Sequence, residues 1–164
     1  MTYATPSTKQ EPYYENMLAW GQAFPQWERP NEAYPENPLR EKYPLQFSQA
    51  RSRFRVHSAY SGAKWIQQLF EPHIELNPSD AAARGLVDGE VYNDRGSFRT
   101  KLRLNNAVQP ESAFMAESTY RQYLEGTLMQ SVSNDTMNPR GYDMMFGPMI
   151  PYNDTLIEIK KAGE

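Results

Sequence analysis

At 164 residues the chain can build one domain with a substantial core, and its net charge of −3 and pI near 5.5 give no electrostatic case for nucleic acid. With no cysteine and only two histidines, His57 and His73, the residues exclude disulfides, zinc knuckles and iron–sulfur ligation, and argue against a self-contained transition-metal site. No apolar run approaches a membrane span and no basic-then-apolar leader opens the chain, although mean hydropathy is low at −0.79 and thirteen prolines are present.

Residues 1–43 read as an extended lead-in with one short helix. "YYENMLAWG" sets Tyr14, Met17 and Leu18 on one helical face and stops at Gly21. The prolines at 25, 30, 35 and 38 suit neither helix nor central strand, so this part is expected to drape over a surface with Trp20 and Trp27 as anchors. From Tyr43 the pattern tightens. "YPLQFS" predicts a first strand and "FRVHS" a second, polar-edged one. "SGAKWIQQLF" predicts a short amphipathic helix through Trp65, Ile66 and Leu69. In "HIELNPSDAAARGL" a strand leads to Asn77 as N-cap, Pro78 at the first helical position and Gly85 just past the end.

"GEVYNDRGSFRTKLRL" predicts a hairpin turning at Asp94-Arg95-Gly96. In its second strand Phe98, Thr100, Leu102 and Leu104 alternate with Arg99, Lys101 and Arg103. "SAFMA" and "DTLIEIKK" add strands. Between them "ESTYRQYLEGTLMQS" predicts a short helix with Ser118 as candidate cap, and the methionines of "DMMFGPM" (143–149) read as an apolar lid. Phe54, Trp65, Ile74, Leu76, Leu102, Leu104, Phe114, Ile157 and Ile159 are the expected core. Strands separated by short helices predict a mainly β fold closed as a barrel.

Seven stretches occur in a recognisable order: "TPSTKQEPYYENMLAWG", "KYPLQF", "FRVHS", "IELNPSDAAARGLVDGE", "YNDRG", "SNDTMNP" and "YNDTLIEIKKA". The array resembles the C-terminal part of the large subunit of dimethyl sulfoxide reductase-family molybdenum or tungsten oxidoreductases. The resemblance implies a six-stranded double-psi β barrel, aspartate decarboxylase-like, over 44–164, acting as a molybdopterin-dinucleotide-binding domain behind the 1–43 lead-in. It implies as cofactor a pair of molybdopterin guanine dinucleotides (bis-MGD) with Mo or W, the metal ligand and iron–sulfur cluster lying in earlier domains. The implied partners are those remaining domains of the same large subunit and an iron–sulfur electron-transfer subunit. Neither nucleic acid nor direct membrane insertion is implied. Because the chain opens in mid-pattern, it is expected to be a piece of a longer subunit, without turnover on its own.

The resemblance carries a set of candidate cofactor contacts. His57 and Ser58 fall where the family meets the pterin and phosphate parts of its cofactor, and Arg55 could reach the same anion. The plain alternative is a strand-end histidine and a solvated arginine. Asn93 and Arg95 either touch the cofactor or simply build the Asn93–Gly96 turn. Asn134 matches a family asparagine near the pterin, against a plain Asx-turn; Tyr152 and Asn153 match residues against a pterin, against rim packing.

The sequence also departs from the family. Ala59 stands where glutamine is frequent, "DGEVYNDRG" is shortened, and after "SAFMA" the frequent histidine-glycine-tryptophan gives way to a segment opening with Glu117. Two other readings stay open: a cofactor-free double-psi interaction or substrate-recognition module, and a pyruvoyl-type enzyme needing self-cleavage at Gly96-Ser97.

Overall fold

The computed structural model describes residues 2–117, 119–121, 124–143, 147 and 149–162. Its compact units are Met1–Arg29 with Asp135–Pro151, and Pro30–Asn134 with Tyr152–Glu164.

In the second unit seven strands form one sheet: β1 Leu45–Ala50, β2 His73–Leu76, β3 Asp88–Asn93, β4 Gly96–Leu104, β5 Ser112–Ala116, β6 Glu125–Gly126 and β7 Thr155–Lys160. The order β2-β5-β1-β7-β3-β4 closes on itself through a β2–β4 pairing, and the two-residue β6 flanks β4. Pairs β1–β5 and β2–β4 are parallel; the other four around the barrel are antiparallel. This is the six-stranded double-psi barrel that the resemblance implies. Its interior is filled by alternating inward residues, among them Leu45, Phe47, Ile74, Leu76, Val91, Phe98, Met115, Ile157 and Ile159, each at most 1% exposed.

Local signals account for much of this. Asn77 accepts a hydrogen bond from Ser79 N, Pro78 opens helix α2 (Pro78–Arg84), and Gly85 ends it in the left-handed region at φ 60°. Gly89 serves a different need: a β-carbon there would stand 2.4 Å from Ile159 Cγ2, so β3 and β7 meet only because the side chain is missing.

Residues 30–43, read from sequence as lead-in, pack with the barrel. β7 is buried on both faces: Ile157 and Ile159 point inward, while Leu156 lies under Ala33, Leu39 and Tyr43. The Asp154 carboxylate accepts from the backbone N–H groups of Asn31, Glu32 and Ala33, and a 3-10 turn, Pro38–Glu41, adds a second short helix to the lead-in.

Several expectations need correction. "FRVHS" is not a strand: Val56 makes only an isolated bridge to Ala59, and 56–63 run as successive turns. His57 at φ 51° and Tyr60 at φ 67° lie in the left-handed region, which an extended strand cannot contain. Phe54 therefore leaves the core and stands 47% exposed against the Phe70 ring. Helix α1 (Lys64–Leu69) is so short that it buries Ile66 alone, leaving Trp65 and Leu69 exposed. Leu104, the last residue of β4, is exposed at the barrel rim. Past β5, Glu125–Gly126 pairs with β4 and Met129–Val132 forms a 3-10 turn; the expected cap Ser118 lies outside the described residues.

In the first unit Glu15–Trp20 is a 3-10 helix that buries Met17 but exposes Leu18, and Gly21 caps it at φ 67°. Arg140, which opens α3 (Arg140–Asp143), pairs with Glu28 and covers the Trp20 ring. Trp27, the other expected anchor, is 82% exposed. The expected methionine lid falls largely on Met144, Met145, Phe146 and Pro148, outside the described residues.

Candidate functional site

The strand registers gather the eight candidate contacts at one end of the barrel. Ala50 pairs with Ala116, so β1 and β5 finish together; Phe47 faces Thr155, so β7 starts there. Asn93 faces Gly96, and the Asn93 amide reaches Leu156 at the start of β7, so the β3–β4 turn belongs to the same end. Residues 51–63, 117 and 152–154 enter or leave the barrel there.

One group is built around the end of β1 and the start of β7. Gln49, buried, donates its backbone N–H to Asn153 Oδ1 (2.6 Å) and its Nε2 to Ser133 Oγ (2.8 Å). Asn134, 2% exposed, donates its N–H to Thr155 Oγ1 (2.8 Å) and its Nδ2 to the Asp154 carbonyl (2.9 Å). Thr155 Oγ1 in turn donates to the Tyr152 carbonyl, so the amides fix the loop from which the exposed Tyr152 and Asn153 side chains rise. The amide of Asn134 thus looks into the chain, and Asn153, although exposed, lends its Oδ1 to Gln49, whereas the Tyr152 side chain looks out.

The hairpin group is turned inward altogether. Asn93 donates Nδ2 to the carbonyls of Val132 (2.7 Å) and Leu156 (3.0 Å), and its Oδ1 accepts from Arg95 N (3.0 Å). Arg95 forms an ion pair with Glu32, 7% exposed, whose carboxylate also accepts from Leu156 N at 2.7 Å. At the turn itself Lys42 and the Tyr43 hydroxyl both donate to Asp94 Oδ1. Lys42 first, then Tyr43, hold the Asp94 carboxyl below the usual range, and Asp94 raises Lys42 in return.

The third group follows β1. Arg55, read as an arm that could reach an anion, instead turns inward at 6% exposure. Its guanidinium donates to Ser61 Oγ (3.1 Å) and to the Glu117 carbonyl (3.2 Å) and lies over the Phe70 ring. Its neighbour His57 points out, with 58% of the side chain exposed and Nδ1 3.3 Å from Glu117 Oε1. Ser58 is half-buried, its carbonyl accepting from Ser61 N. The Glu117 N–H donates to the Ala50 carbonyl, which joins this group to the first at the end of β1.

Sequence reasoning missed Gln49, Asp154, Glu32 and Glu117. Only Glu117 carried a signal, as the first residue of the segment that departs from the family pattern. A separate open cleft of about 850 Å³ runs along the outside of β2, β4 and β5; Arg53, Phe54, Phe70, Lys101, Arg103 and Phe114 are among its lining. It contains none of the eight candidates. Among the described residues no group of three or more His, Cys, Asp or Glu side chains is placed to hold a metal ion.

Residues 45–148 match the family described as the Molydopterin dinucleotide binding domain. The chain belongs to that family. It is 34% identical over 140 residues to the dimethyl sulfoxide/trimethylamine N-oxide reductase of Cereibacter sphaeroides, covering 76% of this chain and 16% of that protein. It is 28% identical over 138 residues to the chlorate reductase subunit alpha of Ideonella dechloratans, covering 74% of this chain and 15% of the relative. The chain therefore spans only about a sixth of the length of these relatives. Acetylene hydratase from Pelobacter acetylenicus superposes with a TM-score of 0.71 at 18% identity, over 98% of this chain and 24% of that one, a likeness of fold. The family match supports a molybdopterin dinucleotide-binding domain and gives the cofactor-free module no support. Gly96-Ser97, the self-cleavage candidate, begins a regularly paired strand.

Proposed function

We propose that this domain supplies one wall of the site for a molybdopterin guanine dinucleotide pair carrying Mo or W, within an oxidoreductase large subunit. On this reading the direct contacts are His57, Ser58, Tyr152 and Asn153. Arg55, Asn93, Arg95 and Asn134 act behind them, holding the loops in place. The remaining domains of the subunit would provide the opposite wall and the metal ligand, and an iron–sulfur subunit would exchange electrons.

The observation that carries this reading is the outward set at the barrel end. The exposed imidazole of His57 and phenol of Tyr152, with the half-buried Ser58 and an Asn153 carboxamide whose Oδ1 is held by Gln49, lie in two loops, one fixed by buried amides and the other braced by Arg55. Between them they offer both donors and acceptors, as the edge of a pterin requires. With Arg55 turned inward, the set fits a heterocyclic edge better than a diphosphate, for which cations would be expected. The bound cofactor would carry the redox chemistry; this chain's residues bind it, orient it and exclude water from one side.

Titration of the chain with molybdopterin guanine dinucleotide, followed by calorimetry, tests the proposal. A one-walled site leaves much of the ligand hydrated, so the expected Kd is weaker than about 1 µM, and weaker again in the double variant His57→Ala/Asn153→Ala. Submicromolar affinity would mean that the domain carries a complete site. Equal affinity in the double variant would remove these residues from it.

A further inference from the structure

We infer that Glu117 is a positioning residue for His57, keeping a proton on Nδ1 so that Nε2 faces outward as a hydrogen-bond acceptor. The inference deepens the proposed function and rests on it for the identity of what Nε2 meets.

The geometry is specific. Glu117 Oε1 is shielded from water and takes no hydrogen bond among the described residues. Its neighbours are His57 Nδ1 at 3.3 Å and Arg51 Nε at 3.8 Å. A shielded carboxylate oxygen without a donor is costly, and a ring-nitrogen lone pair turned towards it would be costlier still. With the proton on Nδ1 a small rotation of the ring turns the 3.3 Å approach into a charge-assisted hydrogen bond. The other tautomer sets two lone pairs against each other. The backbone that carries the ring is held in place: His57 sits in the left-handed region at φ 51° and its turn is closed by the Ala59 N–H to Val56 carbonyl bond. Glu117 is itself fixed, through its own N–H to Ala50 and its carbonyl to Arg55.

The consequence concerns the ligand. A neutral imidazole protonated at Nδ1 accepts at Nε2, so His57 would recognise an N–H or O–H donor, such as the amino or ring N–H edge of a 2-aminopyrimidinone, and would disfavour a phosphate oxygen.

The chain has only two histidines, which makes the tautomer directly readable by long-range 1H–15N correlation at about pH 9, where an ordinary imidazole is neutral. His73 is an internal control: its Nδ1 faces the Glu71 carbonyl at 2.6 Å and its Nε2 faces Glu75 Oε1 at 3.2 Å, contacts that do not involve Glu117, so its own signature should be the same in every variant. The expected result is His57 in the Nδ1–H form, shifting to the Nε2–H form in Glu117→Ala while His73 stays unchanged. Glu117→Leu, which keeps side-chain bulk without an acceptor, should give the same shift. An Nε2–H form in the parent chain would overturn the inference, as would an Nδ1–H form that persists in both variants. If a variant loses the His73 signature, and with it the fold, the parent spectrum alone still decides. No cofactor enters this experiment, so its failure is separate from a failure to bind dinucleotide.

Discussion

At the β3–β4 hairpin, Asn93 and Arg95 are spent on the chain itself: the amide ties Val132 and Leu156, and the guanidinium closes on the buried Glu32. At the loop after β1, on the same end of the barrel, His57 leaves its side chain facing water beside the half-buried Ser58 while Arg55 behind them does the bracing. Both regions offer residue types suited to binding a polar cofactor. They differ in how many carbonyls the neighbouring chain leaves unpaired. Where the strap of residues 30–43 and the 129–132 turn crowd the hairpin, buried backbone groups claim Asn93 and Glu32, and Glu32 with the Val132 carbonyl claims Arg95. At 55–58 one arginine meets both the Glu117 carbonyl and the Ser61 hydroxyl. A polar residue is available to a ligand when the fold has no prior use for it.

That contrast can be broken from either side. Arg95→Ala should have the largest effect, leaving a mostly buried Glu32 carboxylate without its cation; urea unfolding is expected to show a loss of about 2–3 kcal/mol, the partial exposure of Arg95 lowering the cost below that of a fully buried pair. A loss under about 0.5 kcal/mol would mean the hairpin is no better anchored than the open loop. Asn93→Ala strips a donor from two carbonyls and should cost about 2 kcal/mol in the same assay.

Thr100 sharpens the point from the opposite direction. Its Oγ1 is buried with no hydrogen-bond partner among the described residues, so Thr100→Val should leave stability unchanged or raise it by up to about 1 kcal/mol. A clear loss in differential scanning calorimetry would reveal a use for the hydroxyl. His57→Ala is expected within about 0.5 kcal/mol of the parent, because its ring is mostly exposed, and the change should appear in ligand affinity instead.

The smallest effect concerns pH. The folded pKa of Asp94 lies below its unfolded value, so its contribution is present above about pH 4 and is lost as pH falls through the folded pKa. Asp94→Asn should therefore make the fall in urea midpoint between pH 5 and pH 2 slightly shallower. A steeper fall would assign the acid sensitivity of the hairpin to another carboxylate.

Much of the barrel was legible because its signals are local. The Asn77-Pro78…Gly85 helix and the alternation of β4 were each written in a few adjacent residues, and the ordered motifs supplied the closure. "FRVHS" failed for a physical reason: alternation of apolar and polar residues is the same for a strand and for a run of turns, and nothing in the letters shows that His57 and Tyr60 take positive φ. Phe54 was misplaced in the core as a consequence, and Trp65 because its helix is too short to bury more than Ile66. The site was half legible. Motif position brought all eight residues to one end, but which of them face inward depends on carbonyls at Val132, Leu156, Asp154 and Glu117, far away in sequence. Asp154 was invisible for the same reason, since its partners are backbone groups that any residue possesses, and Glu32 because the Leu156 N–H and Arg95 both lie far from it in sequence.

The central claim is that ligand-facing groups lie in the loops around the end of β1 and the start of β7, and the most direct test is chemical-shift mapping of the 15N-labelled chain titrated with molybdopterin guanine dinucleotide. The expected result is a saturable set of shifts at His57, Ser58, Glu117, Tyr152 and Asn153, with Asn93, Arg95 and the outer-wall residues Leu102 and Arg103 unmoved. Shifts centred on Arg53, Lys101 and Arg103, with the barrel-end loops silent, would place the ligand in the side cleft and contradict the account.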